Sequence, residues 1–356
     1  MCAKIRGEDK ESEIYSDISL LASRWPNYGW TKVKSTLKDP NNLFQKIDGI
    51  FGIDRGKDYF ECDKRHYLLI EFSKNSYFEK IDAYLTKLES SETIEEKYNC
   101  LDYLRNFVLH FLSTWNKHTH DSKISILYKL EEYKEMKKIS SEICEEVYNC
   151  LSIKDYHPNI KDLSNKLEKL KDICSLLPEI CKSKIRQLDN PAEELIHCYR
   201  VKFASKDYDT VIGILDGSIE LPFMIKYVQD KKPELAYLKY SGYSEGDHKK
   251  SRKINEKSST LELFELKEKI EDKNILIIDD SISTGRTLKK IINFLKPLME
   301  EGKLTATSVE YLKSKNKKRY IIDFGRNIGA AIIPSTFTRE IWKSDIKKNL
   351  EDIYWI

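Results

Sequence analysis

Apolar positions recur at steps of three and four through the first part of the chain, and give way to short unbroken apolar runs beyond about residue 205. Ile94, Tyr98, Leu101, Leu104, Val108 and Phe111 form one such stripe, the spacing of an amphipathic helix with one buried face. Similar stripes run through Ile124–Met136, Ile143–Leu151, Leu163–Leu177 and Ala192–Phe203, punctuated by Pro158 and Pro178, and Asn190–Pro191 marks a helix start. Ahead of them, Tyr67–Phe72 reads as a strand and Phe51–Gly56 as a loop. The first 75 residues are expected to form a small mixed or helical unit, of winged-helix type.

After residue 205 the pattern alternates. Thr210–Leu215, Leu235–Tyr240, Asn274–Ile278, Thr305–Leu312, Arg319–Phe324 and Ala330–Ile333 are strand candidates. Ile219–Gln229 and a segment starting at Gly285 and running to Leu295 are helix candidates. Ser241–Ser259, rich in Gly, Ser, Lys and Glu, reads as a mobile loop. Asn274–Ile278 is almost wholly apolar, as a strand buried on both faces of a parallel sheet must be. Alternating strands and helices predict an α/β fold with a doubly wound parallel sheet, its ligand site beyond the carboxyl ends of the strands. The expected organisation is thus 1–75, a helical domain over 76–204, and an α/β domain over 205–356.

Composition changes this picture little. Hydrophobic residues make up 40% of the 356 and charged residues 33%, enough apolar material to exclude wholesale disorder. A net charge of +3 with interspersed signs makes no electrostatic case for nucleic acid or a membrane. The start, MCAKIRGEDKESE, lacks the apolar core of a secretory signal. No apolar run approaches a membrane span, so a cytoplasmic protein is expected. The eight cysteines show no CxxC spacing and are expected to be reduced. Cys174 and Cys181, read on one helical face with Ile173, Leu177 and Ile180, suit packing better than zinc. Asn116–Asp121, read as a polar turn, holds His118 and His120, a weak metal motif. His197 and Cys198 are neighbours on a helix and point apart, which does not support a cysteine protease.

The chemistry concentrates in Asn274–Leu288, NILIIDDSISTGRTL. A buried strand ends in two carboxylates, a turn rich in hydroxyls and glycine follows, and a helix begins. Ionised carboxylates only accept hydrogen bonds, so Asp279 and Asp280 suit the two adjacent hydroxyls of a ribose. Ser283, Thr284, Gly285, Arg286 and Thr287 lead into a helix N-terminus, where free amides favour an anion. Gly285 allows close backbone approach to a phosphate.

This run resembles the 5-phosphoribosyl-1-pyrophosphate (PRPP) signature of type I phosphoribosyltransferases: apolar strand, two acids, a short variable stretch, then Thr-Gly-x-Thr. It is not a P-loop, since no GxxxxGK occurs. The resemblance covers about residues 200–356. It implies a phosphoribosyltransferase-like domain that binds PRPP with Mg²⁺ held by Asp279 and Asp280, directly or through water. The implied reaction is transfer of a 5-phosphoribosyl group between pyrophosphate and a nitrogen nucleophile, a base or nucleotide, within nucleotide metabolism. Val211–Ser218 is similar to the family's first strand and pyrophosphate loop, with Asp216, Gly217 and Ser218 in the loop. Asp216 departs from the family by placing a negative charge there. Leu238–Ser244 is similar to the start of the family's closing loop, which implies roles for Lys239 and Tyr243 and closing cations at Lys249, Lys250, Arg252 and Lys253. Purine-type members carry an aspartate base where this chain has Ser283, and serine is no comparable base.

Two alternatives stand beside the enzyme. One is a PRPP- or nucleotide-sensing regulator without turnover. The other is an effector subunit whose helical region binds a protein or nucleic-acid partner. A homodimer is the default for the family. Trp342 and Trp355 are read as core.

Overall fold

The structure, a computed structural model, describes residues 67–121, 130–153, 156–186, 207–215, 217–239, 270–282, 286–295, 303–315 and 318–323, with isolated positions between them. Residues 1–66 of the expected 1–75 unit, the loop after Tyr240, the strand at 330–333, Trp342 and Trp355 lie outside these residues.

The first described unit is helical. Strand β1 (Tyr67–Ser73) leads into α1 (Lys74–Glu89), followed by α2 (Ile94–Asp121), α3 (Leu130–Ser152), α4 (Ile160–Cys174) and β2 (Ile180–Arg186). The helix starts are written locally. Thr93 Oγ1 accepts from the Glu96 amide and the Glu96 carboxylate accepts from the Thr93 amide, a reciprocal capping box that ties up two free donors. Asn159 caps α4 by accepting from the Asp162 amide at 3.1 Å. Asn159→Ala should cost about 1 kcal/mol in a urea titration. In α4, Leu163, Leu167, Leu170 and Ile173 are buried, the stripe expected from the sequence.

Two readings are corrected here. Asn116–Asp121 is not a turn but the end of α2; no glycine or proline interrupts residues 94–121, so nothing breaks the helix. Cys181 does not share a helical face with Cys174. The chain leaves α4 at Ser175, turns through Leu177, and enters β2, where Cys181 faces Phe72 across an antiparallel pair. Pro178 is the reason, since it disfavours helix in the residue before it. Both thiols are buried, and burial raises both, Cys181 to about 12.

The second unit is the expected α/β sheet. Strands β3 (Thr210–Leu215), β4 (Glu234–Lys239), β5 (Asn274–Ile282), β6 (Lys303–Lys315) and β7 (Lys318–Asp323) lie in the order β4-β3-β5-β6-β7. The first four in that order are parallel and β7 pairs antiparallel with β6. Helix α5 (Leu221–Val228) joins β3 to β4, and α6 (Arg286–Leu295) lies between β5 and β6. Strand order reverses between β3 and β5, so the doubly wound switch point falls between them. β5 runs on to Ile282, beyond its apolar stretch, because Asp279, Ser281 and Ile282 still pair with Ser308, Glu310 and Tyr311 of β6.

Gly213 shows how tightly α5 sits on this sheet. A Cβ there would lie 2.7 Å from Pro222 Cγ and 3.0 Å from the Tyr237 ring. Gly213→Ala should destabilise the protein by about 1–3 kcal/mol, read from denaturant midpoints.

The two units share one core, which runs from Phe72 and Tyr77 through α2, α3 and α4 to α5, β3 and β5. Tyr227 on α5 donates to Asn149 on α3 at 3.0 Å. The Lys137 ammonium on α3 donates to the Leu235 carbonyl of edge strand β4 at 2.8 Å, and lies 5.6 and 5.9 Å from the Tyr133 and Tyr237 ring centres. The edge of the sheet is therefore met by the helical unit.

Candidate ribose-phosphate site

Ile275, Leu276, Ile277 and Ile278 are all 0% exposed. Their burial drives β5 through the centre of the sheet and delivers Asp279 and Asp280 to its carboxyl end, beside the switch point. Both acids remain buried, so their charge needs partners. Asp279 Oδ1 accepts from the Asp280 amide at 3.0 Å, which fixes the backbone between them. Ser308, the register partner of Asp279, is buried with its neighbour Thr307, placing hydroxyls beside the acids.

The loop after β3 closes the other side. A Cβ on Gly217 would sit 2.4 Å from Asp280 Cγ and 2.5 and 2.7 Å from its two oxygens. Any side chain at Gly217 would occupy the place of the Asp280 carboxylate. Ser218 turns back, its hydroxyl donating to the Ile214 carbonyl at 2.6 Å and its amide at 3.2 Å. Tyr237 donates from β4 to the Ile219 carbonyl at 2.5 Å.

Four expected site residues, Asp279, Asp280, Gly217 and Ser218, thus come together across β3 and β5. Lys239 is the last residue of β4 and the register partner of Leu215, at the same end of the sheet. Arg286 and Thr287 are the first residues of α6. Asp216, Tyr243, Ser283, Thr284 and Gly285 lie outside the described residues. Asp209 is a carboxylate with a different task. It sits at the opposite end of the strands, accepting from the Asn274 amide at 2.9 Å and from Lys231 at 2.5 Å. Lys231 and then the amide hold it below its ordinary range. Among the described residues no group of three or more His, Cys, Asp or Glu forms a metal cage.

Sequence reading missed Glu220, Arg105 and Tyr148. Glu220, two residues past Ser218, is buried; it accepts from Tyr148 of α3 at 2.7 Å and from Arg105 of α2 at 3.4 Å. The signal was a cation at position 105 inside the apolar run Leu104–Leu112, which implies a buried counter-charge.

The sheet is doubly wound and mostly parallel, with paired acids and a glycine-bearing loop meeting at its switch point. The model of the phosphoribosyl transferase domain matches residues 188–335, in the C-terminal part of this chain. The hypoxanthine-guanine phosphoribosyltransferase of Aquifex aeolicus (strain VF5) is 25% identical over 150 residues, which is 41% of this chain and 76% of that protein. Among solved structures, a hypoxanthine-guanine-xanthine phosphoribosyltransferase is 21% identical, covers 36% of this chain and 67% of its own, and gives a TM-score of 0.23. A hypoxanthine phosphoribosyltransferase from Staphylococcus aureus is also 21% identical, covers 42% and 77%, and gives 0.25. No described helix is long and apolar enough to cross a membrane.

Proposed function

We propose that the site binds PRPP and transfers its 5-phosphoribosyl group to a nitrogen nucleophile. The observation that carries this is the contact of Gly217 with Asp280. It unites a loop suited to pyrophosphate with acids suited to ribose hydroxyls. In this reading Asp280 and Asp279 hold the ribose, and their charge stabilises the cation that develops at the anomeric carbon. The bond from that carbon to the pyrophosphate oxygen breaks as the bond to the acceptor nitrogen forms. Ser283, Thr284, Gly285, Arg286 and Thr287, of which the last two open α6, take the 5-phosphate. Lys239, at the carboxyl end of β4, and Tyr243 complete the set of residues assigned to the pyrophosphate.

Two adjacent carboxylates fit a Mg²⁺ ion, which is usually held by one or two carboxylates plus substrate phosphates and water. Asp279 and Asp280 are the residues that would hold it, and when bound it neutralises the pyrophosphate charge.

The named activities of the relatives make hypoxanthine and guanine the first acceptors to test. Ser283 stands where purine-type members carry an acidic base. That favours a second reading, a PRPP sensor that binds without turnover. Calorimetric titration of PRPP with Mg²⁺ into the full chain, followed by pyrophosphate release with each base, tests both. Binding with release supports the transferase, and binding without release for any base supports the sensor. No heat of binding at millimolar PRPP overturns both.

A further inference from the structure

The stretch from Gly217 to Glu220 is held at every residue, and the last hold comes from outside the α/β unit. Gly217 abuts Asp280, Ser218 is bound to the Ile214 carbonyl, and the Ile219 carbonyl takes the Tyr237 hydroxyl. The Glu220 carboxylate reaches into the helical unit, where Tyr148 of α3 and Arg105 of α2 both donate to Oε1. Arg105 Nε lies 3.2 Å from Asp102 Oδ1, an ion pair one helical turn apart. Its Nη2 donates to Asn106 at 3.4 Å.

This cluster is expensive to bury. Burial works against the Arg105 cation, but Asp102 and Glu220 outweigh it and hold the guanidinium above its ordinary range. Burial raises Glu220, with Arg105 and the Tyr148 hydroxyl opposing. A buried ion pair is often replaceable by apolar residues without loss of stability. Its use is to fix geometry, and here the fixed element is the turn between the loop and α5. Helix α5 has no side-chain cap; Glu220 supplies its first carbonyl, which accepts from Phe223 at 2.9 Å and Met224 at 3.2 Å. Moving Glu220 therefore moves both the helix start and Gly217–Ser218.

We propose that Glu220, gripped by Arg105 and Tyr148 of the helical unit, is a positioning residue that sets the Gly217–Ser218 loop against Asp280. The helical unit is then a working part of the ribose-phosphate site, and changes within it reach the site through this carboxylate. The link to ligand binding rests on the PRPP reading above; the link to loop geometry does not.

The test uses the full chain and two mild variants. Tyr148→Phe removes the donor to Glu220. Tyr227→Phe removes a comparable donor across the same interface, to Asn149, without touching the loop. Amide hydrogen exchange without ligand is read by mass spectrometry on a peptide spanning 216–224, with calorimetric PRPP–Mg²⁺ affinity as the second readout. Exchange in that peptide should rise about tenfold in Tyr148→Phe and stay unchanged in Tyr227→Phe, although each variant loses one hydrogen bond of comparable strength. PRPP affinity should fall about tenfold in Tyr148→Phe alone. Glu220→Gln should reproduce both effects. Equal exchange in the two tyrosine variants overturns the proposal, whatever the ligand data show. If wild type binds no PRPP but exchange rises in Tyr148→Phe alone, loop positioning stands and the PRPP reading fails.

Discussion

Asparagine at Asp280, or alanine at Gly217, is expected to weaken PRPP binding about 100-fold while leaving the fold intact. The two substitutions attack one contact from opposite sides. Asp280→Asn keeps the shape but removes the charge that is proposed to accept ribose hydroxyls. Charge-assisted hydrogen bonds contribute about 1.5–3 kcal/mol each, and about 2.7 kcal/mol is a hundredfold in affinity. The protein itself should tolerate the change, since Asn is isosteric with Asp and leaves the Asp280 amide bonded to Asp279 Oδ1. Gly217→Ala works by volume. Its methyl would lie 2.4 Å from Asp280 Cγ, so loop or carboxylate must shift, and both belong to the proposed PRPP site. Calorimetric titration gives the affinity and far-ultraviolet circular dichroism with a urea midpoint gives the fold. Wild-type affinity in Asp280→Asn would remove the acid from the site.

The second large effect concerns the helical unit in acid. His110 of α2 is fully buried among Phe72, Tyr77 and Ser183, and burial pushes its imidazole down to about 3. An unfolded chain protonates this histidine near 6.5. The folded state is therefore favoured above that value and loses the advantage as pH falls toward 3. Each pH unit in that window costs about 1.4 kcal/mol, so about 3 kcal/mol should be lost between pH 7.5 and 4. Glu220 and Asp102, whose pKa values burial raises, act in the opposite direction as they protonate. The contribution of His110 is isolated by comparison with His110→Asn. That variant should be less stable at pH 7.5 and show a shallower acid slope. Parallel slopes would show that His110 does not titrate in this way.

Much of the α/β unit was legible because its signals are local. Four buried residues in a row, then two acids, then hydroxyls and glycine can be read without knowing what lies alongside. Thr210–Leu215 matched to the residue, since an apolar strand bounded by polar residues has no competing register. The α4 stripe was legible for the same reason. The HxH segment and Cys181 were misread because they depend on where a helix stops. Helix α2 ran on for want of a breaker, and α4 stopped at Cys174, ahead of Pro178.

The sequence by itself determined the alternation of strands and helices from β3 to β7 and the pair of acids at the end of β5. Those follow from periodicity and from the chemistry of adjacent residues. Only the tertiary structure decided that Gly217 meets Asp280, because the two lie 63 positions apart and touch only where strand order reverses. It alone decided that Arg105 and Tyr148 belong with Glu220. A buried charge can be recognised along a chain, but the partner that makes its burial tolerable is chosen by packing, and packing brings together residues that no local pattern relates.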